Sequence, residues 1–400
     1  MMTEFLQTSL DFSANTPLEY RKARGQYMTP RTVSSILLDR LPIKEGDTVL
    51  DPAAGTGELL YAAAQRVPGA TYEGWDIDES ILKYTTNTPN ITFKQEDCLK
   101  VDSKETYDVI IANPPYFELR LDASQKAKFA SVIGGRTNIF SLFFYQAVRL
   151  LKEGGHIGFI IPPSMNNGAF FKNLRKFLLD NCELVDLHII NKSDHFIDAQ
   201  TSAQIIVLKK TKTPVLSKEF IFVSTDNSTA KENVIFTQNT DYLIKSWVGK
   251  KSLWELGYIV STGSVVWNQN KDNFVGENDG IPLIYAKDIK INGTIAYHAP
   301  LNDRRYLPVG TSEAITGGGI VVNRITGAVG SGVLRAALKD DGPFFGENHV
   351  NVVTARKNVT PEIELSELLV RIRQVDPVYL GLLTGNTQIS ARELGHHIPF

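Results

Sequence analysis

At 400 residues, with 42% hydrophobic and 22% charged side chains, the chain has ordinary globular composition and room for two or three domains, which excludes wholesale disorder. Lys and Arg number 42 against 44 Asp and Glu, a net charge of −2, so a strongly basic coat is excluded while a local basic face stays open. Two cysteines, Cys98 and Cys182, exclude a disulfide framework and lack metal-ligand spacing. The acid-bearing start from Met1 to Tyr20 does not read as a secretory leader, and runs such as Gly158–Pro162 are too short to cross a bilayer, so a cytoplasmic protein is expected.

From Val33 to Leu208 helical and short apolar segments alternate. Helices are expected over Thr32–Leu41, Gly57–Arg66, Asn138–Leu151 and Phe170–Leu179. Strands are expected at Thr48–Leu50, Thr71–Ile77, Val109–Ala112, His156–Ile161, Leu184–Ile190 and Ala203–Leu208. This rhythm predicts an α/β fold, a mostly parallel sheet with helices on both faces. Beyond Lys210, Pro214 and a Thr/Ser/Asn-rich stretch read as a linker or an irregular hairpin. From Leu243 the chain is punctuated by glycine. Strand-like pieces lie at Val260, Ile281–Tyr285, Ile320–Val322 and His349–Val353, which predicts a second domain, mixed and mainly β. The expected division is 1–215, a linker over 216–242, and 243–400.

Residues 119–176 carry nine basic side chains (Arg120, Lys126, Lys128, Arg136, Arg149, Lys152, Lys172, Arg175, Lys176) against Asp122 and Glu153, a net +7. Solvated helix faces and phosphate contact are both open readings of that stretch.

Val49–Gly57 is a strand running into a glycine-rich turn, Asp51–Pro–Ala–Ala–Gly–Thr–Gly57, that opens a helix. Its glycines let the backbone approach a ligand, and the helix start offers free N–H groups. It is neither a GxxxxGK[ST] loop nor GxGxxG. The second strand ends at Asp76, where α/β folds hold ribose hydroxyls; capping of the helix from Glu79 is the plainer reading.

The sharpest feature is Ile110–Ile–Ala–Asn113–Pro114–Pro115–Tyr116–Phe117. Prolines fix φ and cannot donate, so the Asn113 amide and the Pro114 carbonyl are rigid acceptors. Two acceptors suit an amino group conjugated to a flat ring: they hold its protons out of plane and free the nitrogen lone pair. Tyr116 and Phe117 offer faces on which such a ring can stack.

The glycine turn followed by Asn113–Pro–Pro–Tyr116 resembles the S-adenosylmethionine-dependent amino-methyltransferases. More closely, residues 21–208 resemble the γ-class (TaqI-type) DNA adenine-N6 methyltransferases of restriction–modification systems. The order is theirs: Gly25–Gln–Tyr–Met–Thr29–Pro30, the glycine turn, Asn-Pro-Pro-Tyr, then a recognition region at the carboxyl end. The match continues through Ala147–Gly155, Phe159–Pro162, His195–Phe196 and Ser202–Ala203.

That resemblance implies a Rossmann-like S-adenosylmethionine methyltransferase sheet, with S-adenosylmethionine as cofactor, followed by a target-recognition domain. Thr29 and the turn with Asp51, Ala53, Gly55 and Gly57 would hold the methionine part. Asp76 would bind the ribose, and Ile77 and Phe159 would enclose the cofactor adenine. Asp97 would accept from its amino group. Cys98, beside Asp97 where an aromatic is expected, would also contact the cofactor. Asn113, Pro114, Pro115 and Tyr116 would hold the target, with Phe196 as a second wall for a flipped base or, in the plain reading, a core phenylalanine.

The implied partner is double-stranded DNA, with a companion restriction endonuclease encoded separately. Monomeric action suffices if each strand is modified separately. No metal and no membrane is called for. Candidate base-reading residues are Lys271, Arg304, Arg305, Asn323 and Arg324, with surface ion pairing the competing fate of each. Alternatives with the same Asn-Pro-Pro-Tyr logic are a protein glutamine-N5 or RNA guanine-N2 methyltransferase. A further alternative is a DNA-binding modification subunit that needs a partner.

Overall fold

The computed structural model describes residues 4–190, 203–311, 313–324, 332–384 and 388–400. It divides into two compact units, one of residues 1–221 with 236–238, the other of 222–235 with 239–400.

The first unit begins with helices α1 (Gln7–Asn15), α2 (Leu18–Arg24) and α3 (Arg31–Leu38). Strands β1 (Thr48–Asp51), β2 (Thr71–Asp76), β3 (Ile91–Gln95), β4 (Tyr107–Ala112), β5 (Leu151–Ile161), β6 (Cys182–Ile190) and β7 (Ala203–Lys210) form one sheet in the order β3-β2-β1-β4-β5-β7-β6. The neighbours from β3 through β5 pair in parallel, whereas β7 lies antiparallel to both β5 and β6. This is the Rossmann-like methyltransferase sheet expected from the sequence.

Helices α4 (Glu58–Arg66), α5 (Glu79–Leu82), α6 (Ala123–Lys128), α7 (Ile139–Leu150) and α8 (Lys172–Asn181) complete the unit. One face of the sheet packs Val49, Val109, Ile111, Ile160 and Ile205 against Val33 and Leu37 of α3 and Leu60 and Ala63 of α4. On the other face α7 buries Phe140, Phe144 and Ala147, with the Phe144 ring 4.7 Å from that of Phe159. Because the central strands are covered on both faces, they read as continuous apolar runs. Asn138 caps α7 by accepting from Phe140 N at 3.3 Å.

Of the two readings of the stretch after Lys210, linker or hairpin, the structure has a two-stranded hairpin, β8 (Ile221–Asp226) with β9 (Lys231–Phe236). Alternating burial along β8 (Phe222 and Ser224 in, Val223 and Thr225 out) is what a half-covered strand requires, and a polar composition alone conceals it.

The second unit continues with α9 (Thr240–Ser246), β10 (Tyr258–Thr262), β11 (Ile281–Ile284), β12 (Tyr306–Leu307), β13 (Gly319–Asn323), β14 (Ala336–Lys339), β15 (Phe345–Gly346) and β16 (Val350–Ala355). Two small sheets result, β10-β16-β13-β14 and β12-β11-β15. Three helices close the chain: α10 (Leu365–Arg373), α11 (Pro377–Thr384) and α12 (Ala391–His396). Their Leu368, Ile372, Leu383 and Leu394 share a core with Tyr258, Ile320, Val322 and Val353 of the larger sheet.

Candidate active site

Strand β1 ends at Asp51, and the chain turns through Gly55 (φ +55°) and Gly57 (φ +86°) into α4. A Cβ at Gly57 would stand 2.7 Å from the rings of both Phe93 and Tyr61, so the turn needs glycine there for space as well as for φ. The turn is one wall of a cleft lined by Tyr27, Met28, Thr29, Asp51, Ala53, Ala54, Gly55, Thr56, Glu58, Leu59 and Asn113.

Asp51 is buried, and its Oδ1 accepts Ala53 N at 3.0 Å. Burial pushes its pKa up to about 8, opposed by that hydrogen bond and reinforced by the negative charge of Asp76. Asp76 accepts Gly55 N at 3.0 Å and Asp78 N at 2.9 Å, and burial raises it to about 6. Helix α5 is capped by Asp78, whose side chain accepts from Ser80 N, so the plain reading of Asp76 as that cap is set aside. Ile77 is an apolar side chain left 65% exposed beside this carboxylate. The donor set suits a ligand with a cationic amine, a carboxylate and vicinal hydroxyls: buried carboxyls, backbone N–H groups and an apolar patch.

The Asn113 loop leaves the end of β4 and rests on the Gly25 turn. Gly25 (φ +65°) C-caps α2, and a Cβ there would lie 2.7 Å from Pro115 Cβ. Asn113 Nδ2 donates to Thr29 Oγ1 at 3.1 Å and points at the Tyr27 carbonyl at 3.5 Å. A carbonyl can only accept, so the NH2 end of the amide must face this side, which leaves Oδ1 as acceptor on the other. There the Tyr116 hydroxyl reaches Asn113 Oδ1 and also the Ile160 carbonyl, the latter at 2.8 Å. The Tyr116 ring meets Phe140 edge-on at 6.4 Å, and Phe140 stacks on Phe171 at 5.1 Å. Burial pushes the Tyr116 phenol well above its ordinary pKa.

The structure brings Thr29, Asp51, Ala53, Gly55 and Asn113 to one cleft. Asp97 caps a 3-10 turn at Cys98–Lys100, accepting Leu99 N at 3.1 Å, and pairs with Lys100 at 3.2 Å. Two expectations are corrected. Phe159 has no exposed surface and packs on Phe144, so it presents no face to a ligand. Cys98 is 3% exposed, and its carbonyl accepts from Gln146 Nε2 in the core. Phe196 and its neighbour His195 lie outside the described residues.

The basic stretch is largely spent on neighbours. Lys128 donates to Leu99 O at 2.9 Å, Lys152 pairs with Asp108 at 2.8 Å and Lys176 with Asp180 at 2.8 Å. Arg175 is buried and donates to Met165 O at 2.8 Å. Arg120, Lys126 and Lys172 are exposed.

Sequence reasoning missed Glu58. It sits on the buried face of α4's first turn, where it accepts Leu6 N at 2.8 Å and Ser9 Oγ at 2.6 Å; Ser9 in turn meets Thr56 Oγ1 at 2.6 Å. This ties α1 to the glycine turn. A lone acid amid the apolar positions of a helix was the available signal.

Among the recognition candidates, Lys271 is exposed and Arg304 is 42% exposed at its side chain. Arg305 is corrected: it is buried against an equally buried Asp288, donating through Nη2 to Oδ1 at 3.2 Å. Asn323 is corrected likewise, buried with its Oδ1 accepting Arg335 N at 2.6 Å. Arg324 is half-buried and donates to the Asn348 carbonyl at 2.7 Å. A base-reading side chain must keep polar atoms free and reachable, and these bonds take up the Arg305 fork, the Asn323 carbonyl oxygen and one Arg324 donor.

A seven-stranded Rossmann-like sheet with a glycine turn after β1 and an Asn-Pro-Pro-Tyr loop after β4 is the frame of a methyltransferase. The proteins to which this chain is similar carry methyltransferase names. Residues 65–196 match the family model described as Eco57I restriction-modification methylase. Over 403 residues, 98% of this chain and 97% of the relative, the sequence is 24% identical to modification methylase CviBIII of Paramecium bursaria Chlorella virus NC1A. It is 25% identical over 464 residues to type II methyltransferase M.BsuBI of Bacillus subtilis, covering 98% of this chain and 91% of that one. Among solved structures, the type I restriction-modification methyltransferase subunit from Streptococcus thermophilus matches with a TM-score of 0.40 and 19% identity, over 56% of this chain and 53% of that one. The resemblance read from the motifs is supported at the level of the restriction–modification methyltransferases.

Proposed function

We propose that the chain transfers a methyl group from S-adenosylmethionine to the N6 amino group of an adenine extruded from duplex DNA. In this reading residues 1–215 carry out the transfer and 243–400 recognise the target. The observation that carries the reading is the Asn113 amide, oriented by Thr29 at the rim of a carboxyl-lined cleft. Support also comes from relatives named as a modification methylase and a type II methyltransferase, each matched over 98% of this chain.

S-adenosylmethionine supplies an activated methyl group on a sulfonium. Asp51 suits its ammonium, the N–H groups at the start of α4 its carboxylate, Asp76 its ribose hydroxyls and Ile77 its adenine ring. A base stacked in a duplex cannot reach the cleft, so extrusion is required. Asn113 Oδ1 and the Pro114 carbonyl accept the two amino hydrogens and turn the nitrogen lone pair out of the ring. The Tyr116 ring holds the base flat. The nitrogen becomes acidic on alkylation and sheds its proton to solvent, so no strong base is needed. Positioning and fixed dipoles supply the acceleration. One chain can modify each strand in turn, and the partner such a system implies is a separately encoded nuclease.

The test is Asn113→Ala. Methyl transfer to duplex DNA should fall by at least about 100-fold, while donor affinity stays within a few-fold. Turnover at the parent rate would sink the assignment.

A further inference from the structure

With Arg305 and Asn323 removed from the recognition candidates, Lys271 and Arg304 remain exposed among the described residues, and they lie on one cluster. Trp267 opens a short 3-10 turn, Trp267–Gln269. It packs against the small core of Val265, Ile281, Leu283, Tyr285, Leu307 and Phe345. Its ring also carries two cations: the Arg304 guanidinium 4.4 Å from the ring centroid and the Lys271 ammonium at 5.6 Å. Asn268 and Gln269, at the same tip, are exposed.

Arg304 is held in place from behind. Its carbonyl accepts the Tyr285 hydroxyl at 2.8 Å, and the next residue is Arg305, locked in its buried pair with Asp288. A surface arginine ordinarily pays rotamer entropy to make a contact; backbone anchoring and the aromatic platform remove part of that cost in advance. Asp303 pairs with the Arg304 Nε edge at 3.7 Å and Asp272 follows Lys271, so the cluster carries no net charge. That composition is wrong for a phosphate-gripping patch, whose strength is net positive charge. It is right for base edges: a planar guanidinium fork matches guanine O6 and N7, and Asn or Gln amides match adenine N6 and N7.

We propose that Trp267 and Arg304 form a preorganised base-reading tip, in which Arg304 selects a guanine in the target sequence. This rests on the reading of the chain as a DNA methyltransferase. The buried Arg305–Asp288 pair is a positioning element for the tip and makes no contact with DNA.

The experiment uses the full-length protein, S-adenosylmethionine and a duplex library with randomised sequence, and the modified sites are sequenced. The parent should modify a motif containing a guanine. In Arg304→Ala the preference for that guanine should drop at least tenfold, with the other positions of the motif unchanged. Trp267→Leu, which keeps apolar packing but removes the π face, should relax the same position. Thermal melting of both variants checks that they fold as the parent does. An unchanged motif in Arg304→Ala, or a uniform loss of DNA affinity with preference intact, overturns the assignment of Arg304 alone. A folded parent that modifies no duplex overturns both this assignment and the reading beneath it.

Discussion

Thr29 Oγ1 accepts the Nδ2 proton of Asn113 at 3.1 Å, joining two sequence motifs that lie 84 positions apart. The bond fixes which way the amide points, and in the proposed reaction it thereby sets whether Oδ1 can accept an amino hydrogen. Thr29→Val keeps the branched shape and loses the acceptor. Its single-turnover methylation rate should fall about tenfold or more, and Thr29→Ser should restore it. A valine variant at the parent rate would remove Thr29 from the positioning role.

The Tyr116 hydroxyl has one proton and two acceptors, Asn113 Oδ1 and the Ile160 carbonyl. When an amino group takes up Asn113 Oδ1, the proton can remain with Ile160, so base entry strands no polar group. Tyr116→Phe should cost about 1 kcal/mol of stability and keep most of the activity, because the ring remains. Tyr116→Ala should also raise the DNA KM. Since burial holds the phenol neutral through the assay range, the parent's pH–rate profile should show no limb from it.

Asp51 gives a pH dependence whose sign is fixed by its burial. Its folded pKa, about 8, lies above the unfolded value near 3.8. The cofactor-free protein therefore loses stability as pH rises from about 4 to 8, while the ionised form that an ammonium needs becomes populated. Donor affinity should rise over pH 6 to 8, with proton release visible by calorimetry in buffers of different ionisation enthalpy. Asp51→Asn should melt higher than the parent at pH 8 and bind the donor more weakly. A variant with parental melting and affinity would contradict this.

In the second unit His397 Nδ1 lies 2.8 Å from Ser224 Oγ, and the ring is buried. Burial pushes its pKa down to about 4, with the nearby Arg392 and His396 acting in the same sense and Asp226 opposing. The unfolded chain therefore binds the proton first. Stability present above pH 6.5 is lost progressively as pH falls towards 4. His397→Gln should flatten the dependence of the urea midpoint on pH in that window, and an undiminished slope would assign it to other groups.

How much was legible follows from burial. Strands β1, β4, β5 and β7 are covered on both faces and announced themselves as apolar runs. The sheet-edge strand β3 buries only Ile91 fully among Ile91–Gln95, and no strand was read there. The glycine turn and the Asn113 loop were legible because special backbone geometry demands special residues. Arg305 was not, since its partner Asp288 is 17 positions away and nothing local marks a buried pair. Phe159 shows the limit of resemblance: the aromatic type matched, but Phe144 had already claimed its ring.

The reaction proposed for this chain is methyl transfer to an adenine amino group in DNA. The most direct measurement incubates the protein with unmethylated genomic duplex and isotopically labelled S-adenosylmethionine, then digests the DNA to nucleosides for mass spectrometry. Label is expected in N6-methyladenine and in no other nucleoside. Label in a methylated cytosine, or none in DNA while the donor is bound, would contradict it.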